Sequence, residues 1–441
     1  MAGTLTLAMF IVAVLIFLSS LDDLLIDVLA LCIVRRRLSV PEPDQDGTSP
    51  TIAVFVANWH EHDVLEKMVE GNLARIQDAD VRIVLGVYPN DTETRDVAKQ
   101  LGAGHRERVR VVVNGLAGPT SKGQMLNEMF RQVFGDADAP DMVVLHDSED
   151  VIDPRSFEIY RAYAESYDFI QIPVFSLESG NRSLVAATYM DEFAERHTRE
   201  MVVRDALGAA IPSAGVGTCM TKRLVRHFLR QRGHVLATGC VTEDYILGIE
   251  AKRAGFRAAF AAVSESAARY GEFVATREFF PQGFSASVRQ KTRWVFGINF
   301  EAMHRLGWRA GPWDFYFFLR DRKGIITNFL PPISLALLIP LVLGAFDLDQ
   351  LPPTLQPLLP PVLFANIVAM NLRLVFRVAA FKEVYGRYDA FGVLLRWPVA
   401  VLVNALAVLR AWRIYFFESG LATRPIVWAK TQHEVPMDFS S

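Results

Sequence analysis

Residues 1–21 contain no charged side chain, and this run constrains the fold before any other feature is considered. About 20 apolar residues suffice to cross a bilayer as a helix, so the run is just long enough. A cleavable leader would carry its positive charges before the apolar stretch. Here Arg35, Arg36 and Arg37 follow it, and the positive-inside rule then puts them in the cytoplasm with the N-terminus outside. Asp22, Asp23 and Asp27 come just after the run and interrupt a second apolar stretch. They are expected at the membrane interface; if buried in one long helix they need partners, and Arg373 or Arg377 are the candidates.

Apolar character returns near the C-terminus. Residues 313–319 are aromatic and precede Arg320, Arg322 and Lys323, the pattern of an interfacial helix. Segments 327–346 and 358–381 are candidate spans, joined by a proline-rich stretch without basic residues, as expected of an outside loop. In 391–417, Arg396, Asn404, Arg410 and Arg413 fall within half the circumference of a helix, and Pro398 would kink it. A membrane-surface element is preferred there over a fourth span. The net charge of −3 offers nothing to a nucleic acid. Cys32, Cys219 and Cys240 show neither metal-ligand spacing nor a disulfide framework.

Between these ends, short β-branched runs alternate with helical patterns. Strands are expected at 51–57, 81–88, 109–113, 142–146 and 169–174, and helices at 63–76, 92–101 and 124–134. That alternation argues for a parallel α/β sheet, whose ligands bind beyond the carboxyl ends of the strands. The polar motifs stand at those ends: Asn58-Trp59-His60-Glu61, Pro89-Asn90-Asp91 and His146-Asp147-Ser148-Glu149-Asp150. The expected organisation is a spanning helix with basic flank (1–37), a polar linker (38–50), a catalytic domain (51–312), an interfacial helix (313–326), two spans (327–381) and a membrane-surface segment with tail (382–441).

Carboxylates in a tight turn, as in Asp147, Glu149 and Asp150, can converge on one hard cation; a solvated acidic turn is the plainer alternative. Asp91 follows a strand and opens a helix, where an N-cap explains it without a ligand. Glu61 is open to the same bland reading as a first-turn acid. Gly115 to Lys122 is not a phosphate loop of the Walker type, because the order is Ser-Lys-Gly. A lysine opening a helix can still bind a diphosphate beside free backbone N–H groups. Ser213 to Thr218 is a small-residue loop that a sugar could approach.

Thr242-Glu243-Asp244 sets acids at a helix start, and Gln290, Arg293 and Trp294 follow at i, i+3 and i+4, on one helical face. Asp244 can accept the proton of an attacking sugar hydroxyl, with Glu243 as a neighbouring polar contact. A guanidinium can hold a diphosphate, and an indole is a platform for a sugar ring.

In this order and spacing the motifs of residues 50–300 resemble the processive family-2 glycosyltransferases, the group of cellulose, chitin and hyaluronan synthases. His146 to Asp150, Gly118-Pro119-Thr120-Ser121-Lys122 and Trp428 to His433 look most like the bacteriophage adsorption protein B type, inner-membrane glycosyltransferases of bacterial surface glycan. The resemblance implies a GT-A fold, a Rossmann-like mixed sheet flanked by transmembrane and interfacial helices. It also implies a UDP-sugar donor, Mg²⁺ or Mn²⁺, and inversion at the anomeric carbon. By position Asp91 would meet the uridine, Lys122 the diphosphate, and Asp147 with Glu149 the metal. Asp244 would be the base, with Gln290, Arg293 and Trp294 at the acceptor and diphosphate end. The usual D-x-D is D-x-E-D here, which leaves Glu149 and Asp150 both open as the completing ligand. The expected partners are the UDP-sugar, a glycan acceptor, membrane lipid and an outer-membrane export protein, for a multi-pass enzyme of the bacterial inner membrane with a cytoplasmic catalytic domain. A single transfer to a polyprenyl phosphate, or a non-enzymatic receptor or export scaffold, are the alternatives.

Overall fold

The computed structural model describes residues 2–34, 49–179, 183–264, 272–344 and 348–418. Arg35 to Arg37, most of the linker and the Trp428 to His433 motif lie outside them.

The strands β1 (Ile52–Ala57), β2 (Val81–Val87), β3 (Val109–Val113) and β4 (Met142–His146) are parallel and lie where the β-branched runs predict. Period-two geometry sends β1 to both faces. Ala53, Phe55 and Ala57 join one core, and Ile52, Val54 and Val56 the other. Both faces are covered, which is why these strands read as continuous apolar runs.

The expected strand at 169–174 is divided by Pro173, which cannot donate to a ladder. It becomes β5 (Phe169–Gln171) in the main sheet and β6 (Val174–Ser176) in a second one. β7 (Thr218–Thr221) runs antiparallel between β4 and β5, and β8 (Ala258–Phe260) closes the edge, giving the order β3-β2-β1-β4-β7-β5-β8. The sheet is therefore mixed, not wholly parallel as the alternation alone argues. β9 (Thr276–Glu278) pairs with β6, Ser176 opposite Glu278.

Helices α1 (Ala2–Val34), α2 (Leu65–Arg75), α3 (Thr92–Gly104), α4 (Lys122–Gly135), α5 (Ser156–Ala164) and α6 (Leu184–Glu195) precede a π-helical turn at Arg196–Glu200. Next come α7 (Met201–Ala206), α8 (Lys222–Arg232), α9 (Glu243–Arg253) and α10 (Phe284–Val295), with a second π turn at Phe296–Glu301. α11 (Ala302–Leu306), α12 (Pro312–Thr327), α13 (Leu330–Val342), α14 (Leu359–Tyr385) and α15 (Ala390–Arg413) follow, the last running into a π turn at Ile414–Glu418. Side-chain caps mark several starts as the sequence signals, Asp91 accepting from Thr94 N and Ser121 from Gln124 N.

Among the described residues, three helices are long and apolar enough to cross a membrane: Thr4–Ile33, Gln356–Tyr385 and Ala390–Phe417. The first is continuous, so Asp22, Asp23 and Asp27 lie inside a helix and not in a separate interfacial segment. Each acid has a cation. Asp27 pairs with Arg373 of α14 at 2.5 Å, and Lys323 of α12 reaches Asp22 and Asp23 at 2.6 Å each. Burying these carboxylates without partners would cost several kcal/mol per ion, so the pairs are what permits the unbroken helix.

The segment expected to span at 327–346 breaks at Asn328 and Phe329, leaving α13 with 13 helical residues. It still climbs beside α1. Leu337 packs with Met9, Phe10, Leu351 and Leu359, at the end of α1 remote from the sheet, and α14 returns from there. α15 behaves differently and lies along α10 and α6. Val393, Ala400, Val403, Ala407 and Ala411 are buried against them, while Leu394, Leu402, Leu406 and Leu409 are exposed.

Candidate active site

The acidic turn after β4 is the centre of the site. Carboxylate oxygens of Asp147, Glu149 and Glu278 lie within 4.8 Å of one another. Asp150, expected as a possible third ligand, is not one of these three. Its Oδ2 accepts from Asp147 N at 2.9 Å and from His146 Nδ1 at 2.8 Å, and the residue is fully buried. It shapes the turn from below, while Glu278 of β9 takes the place beside Asp147 and Glu149. The sequence reading missed Glu278 because nothing local marks it. Two non-local pairings bring it in: β6 with β9, and a bridge between Val151 and Arg277.

Burial first, then the charges of Asp150, Glu149 and Asp147, pushes the Glu278 carboxyl well above its ordinary range. Carboxylates this close repel one another unless a cation stands among them. The donors are all hard oxygens, the set that suits Mg²⁺ or Mn²⁺.

Lys122 opens α4, where Ser121 caps the helix, and its Nζ forms an ion pair with Asp147. Burial would lower its pKa, yet Asp147, followed by Asp244 and Glu243, holds it above its ordinary value. The lysine is a fixed charge at a helix N-terminus, suited to a diphosphate.

Glu243 and Asp244 form the first turn of α9. Burial is the main cause raising both carboxyls, and Glu243, next to Asp244, is pushed up to about 8. Gly215 stands against Asp244: with φ at +84°, a Cβ there would come 2.8 Å from Asp244 Oδ2. Only glycine combines that backbone with so close an approach. The small-residue loop of the sequence reading is thus set directly against the base candidate.

Of the three residues on one face of α10, Trp294 and Arg293 are nearest the chemistry. Trp294 meets Tyr189, Phe193 and Phe280 edge-on, with centroids 6.1, 6.1 and 6.3 Å away. It lines a cavity of about 340 Å³ with Asp244, Glu278, Ser213 and Ala214, which extends to Asp321 and Asn328. Neither Gln290 nor Arg293 lines that cavity. Arg293 is partly buried, which lowers its pKa against the opposing pull of Asp147, Glu243 and Asp244. Gln290 keeps a buried Oε1 without a hydrogen-bond partner among the described residues.

Asp91 and Glu61 sit apart from the metal cluster. Asp91 caps α3 and also accepts from His60 N at 2.7 Å. Glu61 is buried, with its backbone N donating to Thr94 Oγ1 at 3.0 Å. Both carboxylates belong to the corner at the ends of β1 and β2. There Asn90 clasps Gly118 by two hydrogen bonds of 2.6 and 2.8 Å.

Residues 50–297 match the family described as Glycosyltransferase like family 2. The chain belongs to glycosyltransferase family 2. This glycosyltransferase is 32% identical over 460 aligned residues to bacteriophage adsorption protein B of Escherichia coli K12, covering 96% of this chain and 61% of that protein. It is equally similar to bacteriophage N4 adsorption protein B of Escherichia coli O157:H7. It thus spans about three-fifths of the length of the curated relatives it matches. Among solved structures it is similar to the mannosyltransferase PcManGT of Pyrobaculum calidifontis, solved with GDP-Man and Mn²⁺. The TM-score is 0.59 at 13% identity, over 92% of this chain and 99% of that one. That likeness establishes a GT-A fold for the glycosyltransferase, with its mixed α/β sheet flanked by candidate membrane helices.

Proposed function

We propose that the protein is an inverting glycosyltransferase of the bacterial inner membrane, moving a sugar from a UDP-sugar to a growing surface glycan at the cytoplasmic face. The observation that carries this is the convergence of Lys122, Asp147 and Asp244 beside a cavity walled by Trp294.

Asp147, Glu149 and Glu278 would hold Mg²⁺ or Mn²⁺, which when bound neutralises charge on the donor diphosphate. Lys122 and Arg293 supply further positive charge to the same oxygens. Asp91 and Glu61 stand at the corner assigned to the nucleoside. The acceptor sugar rests on Trp294, and Asp244 takes the proton of its hydroxyl as that oxygen attacks the anomeric carbon from the face opposite the leaving diphosphate. Gln290 borders the acceptor end.

Transfer to a polyprenyl phosphate would call for spare cations at the membrane end of the cavity. Most of the cations lining it are already matched, Arg320 with Asp23 and Glu200 at 2.9 Å each and Lys291 with Glu192 at 2.5 Å, while Arg196 is partly exposed and 3.9 Å from Glu200. A neutral sugar acceptor fits better. In the same reading α15 rests on the membrane surface and leaves the C-terminus in the cytoplasm. The decisive assay gives purified protein labelled UDP-glucose, UDP-N-acetylglucosamine and GDP-mannose, with and without a divalent cation, and measures product length. Lengthening glycan from a UDP-sugar supports the reading. A single sugar on a lipid phosphate, or product from GDP-mannose alone, overturns it.

A further inference from the structure

α9, which carries Asp244, begins without the usual device. Thr242 is its N-cap residue, yet its side chain makes no cap hydrogen bond. Instead that side chain lies against the second π turn, where a Cβ on Gly297 would come 2.5 Å from Thr242 Oγ1. An uncapped first turn frays unless something else holds it. Fraying here would move the base.

Glu301 Oε2 accepts from Val241 N at 2.6 Å just before the cap, and α12 holds the turn itself. The Tyr245 hydroxyl donates to Asp321 Oδ2 at 2.5 Å, and Arg204 donates to both oxygens of Asp321 at 2.9 and 3.1 Å. Arg204 in turn donates through Nε to Ala210 O at 2.6 Å and lies over the Phe317 ring at 5.0 Å. All three side chains are buried, Arg204 at 0%, Asp321 at 1% and Tyr245 at 2% exposure. A second tie stands two turns along: Lys252 Nζ reaches both oxygens of Asp314 at 2.7 Å. Tyr245 and Lys252 are seven residues apart on α9, and Asp314 and Asp321 seven apart on α12, so each pair shares a helical face. Asp321 and Tyr245 line the same cavity as Asp244.

We propose that Tyr245, held by Asp321 and Arg204, is a positioning residue that sets the Asp244 carboxylate against the acceptor hydroxyl. The inference rests on the proposed function, because it takes Asp244 as the base. The link is short: Asp244 Oδ1 accepts from Tyr245 N at 2.7 Å, so a shift of the tyrosine backbone carries the carboxylate with it. The Lys252 tie, at the far end of α9, secures the helix without bearing on the base.

The test uses the full chain in lipid nanodiscs, with whichever of UDP-glucose, UDP-N-acetylglucosamine and GDP-mannose gives the highest wild-type turnover. Tyr245→Phe removes one hydroxyl and leaves Arg204 paired with Asp321. It should lower kcat about 10- to 100-fold, the scale of an ångström-sized misplacement, and leave the donor KM within about twofold. Asp321→Glu keeps the charge beside Arg204 but displaces the tyrosine's acceptor, and should give the same split. Lys252→Met should keep kcat within about twofold of wild type. Wild-type kcat in either folded site variant overturns the proposal, as does an equal kcat loss in Lys252→Met, which would mark a general loosening of α9. Absence of transfer by the wild-type protein would instead refute the proposed function.

Discussion

Arg396 of α15 donates two hydrogen bonds of 2.8 Å to Asp191 of α6, tying the last apolar helix to the catalytic domain near its start. Eight residues on, Asn404 donates to Glu192 at 3.1 Å and accepts from Lys291 at 2.9 Å. Near the helix end Trp412 packs on Phe300, centroids 4.8 Å apart. α15 is long and apolar enough to cross a bilayer, and we propose that these ties at its start, middle and end hold it along the membrane surface instead.

The C-terminus is therefore expected in the cytoplasm. A cysteine placed at Ser441 in a Cys32→Ser background should resist a membrane-impermeant thiol reagent in intact cells and react after permeabilisation. Labelling of intact cells would show that α15 crosses.

Asp244→Asn keeps the side-chain shape and removes the proton acceptor. Turnover should fall about 10²–10⁴-fold, while UDP binding by calorimetry stays near wild type. Near-normal turnover would remove Asp244 from the role of base.

The carboxylates of the acidic turn divide into two kinds, and substitution should separate them. Asp147→Ala and Glu278→Gln should abolish metal-dependent binding of the sugar nucleotide, and EDTA should reproduce the effect on wild type. Asp150→Asn should instead lower folding stability by about 1–3 kcal/mol, the cost of disturbing buried hydrogen bonds, with little change in Mn²⁺ affinity of the folded protein. Loss of Mn²⁺ binding in folded Asp150→Asn would restore Asp150 as a ligand.

Glu243 also sets a pH dependence. Burial and Asp244 raise its folded pKa from 4.5 to about 8, so the folded state holds this proton more tightly than the unfolded chain does. Its contribution is complete below 4.5 and is lost as pH rises toward 8. Without metal or donor, the melting temperature should decline across that interval, and Glu243→Gln should flatten the decline. An identical slope in the variant would assign the effect to other groups.

Much of this was written locally in the chain. The strands β1 to β4 follow from β-branched runs buried on both faces, and the helix starts from Asp91 and Ser121. Asp147, Lys122, Asp244 and Trp294 were all visible, because each stands at a strand end, a helix start or a fixed helical spacing. Tertiary structure alone decided the rest. β7 reverses direction because it is inserted between β4 and β5, which no local pattern records. Glu278 reaches Asp147 through pairing of strands of three residues each, too short to show a period. Asp150 has one carboxylate oxygen taken by His146 and the Asp147 amide. The charges of α1 were readable as a difficulty but not as a solution. Whether Asp22, Asp23 and Asp27 break the helix or are buried in it depends on cations 300 residues away on α12 and 346 away on α14, and only folding brings those within reach of a hydrogen bond.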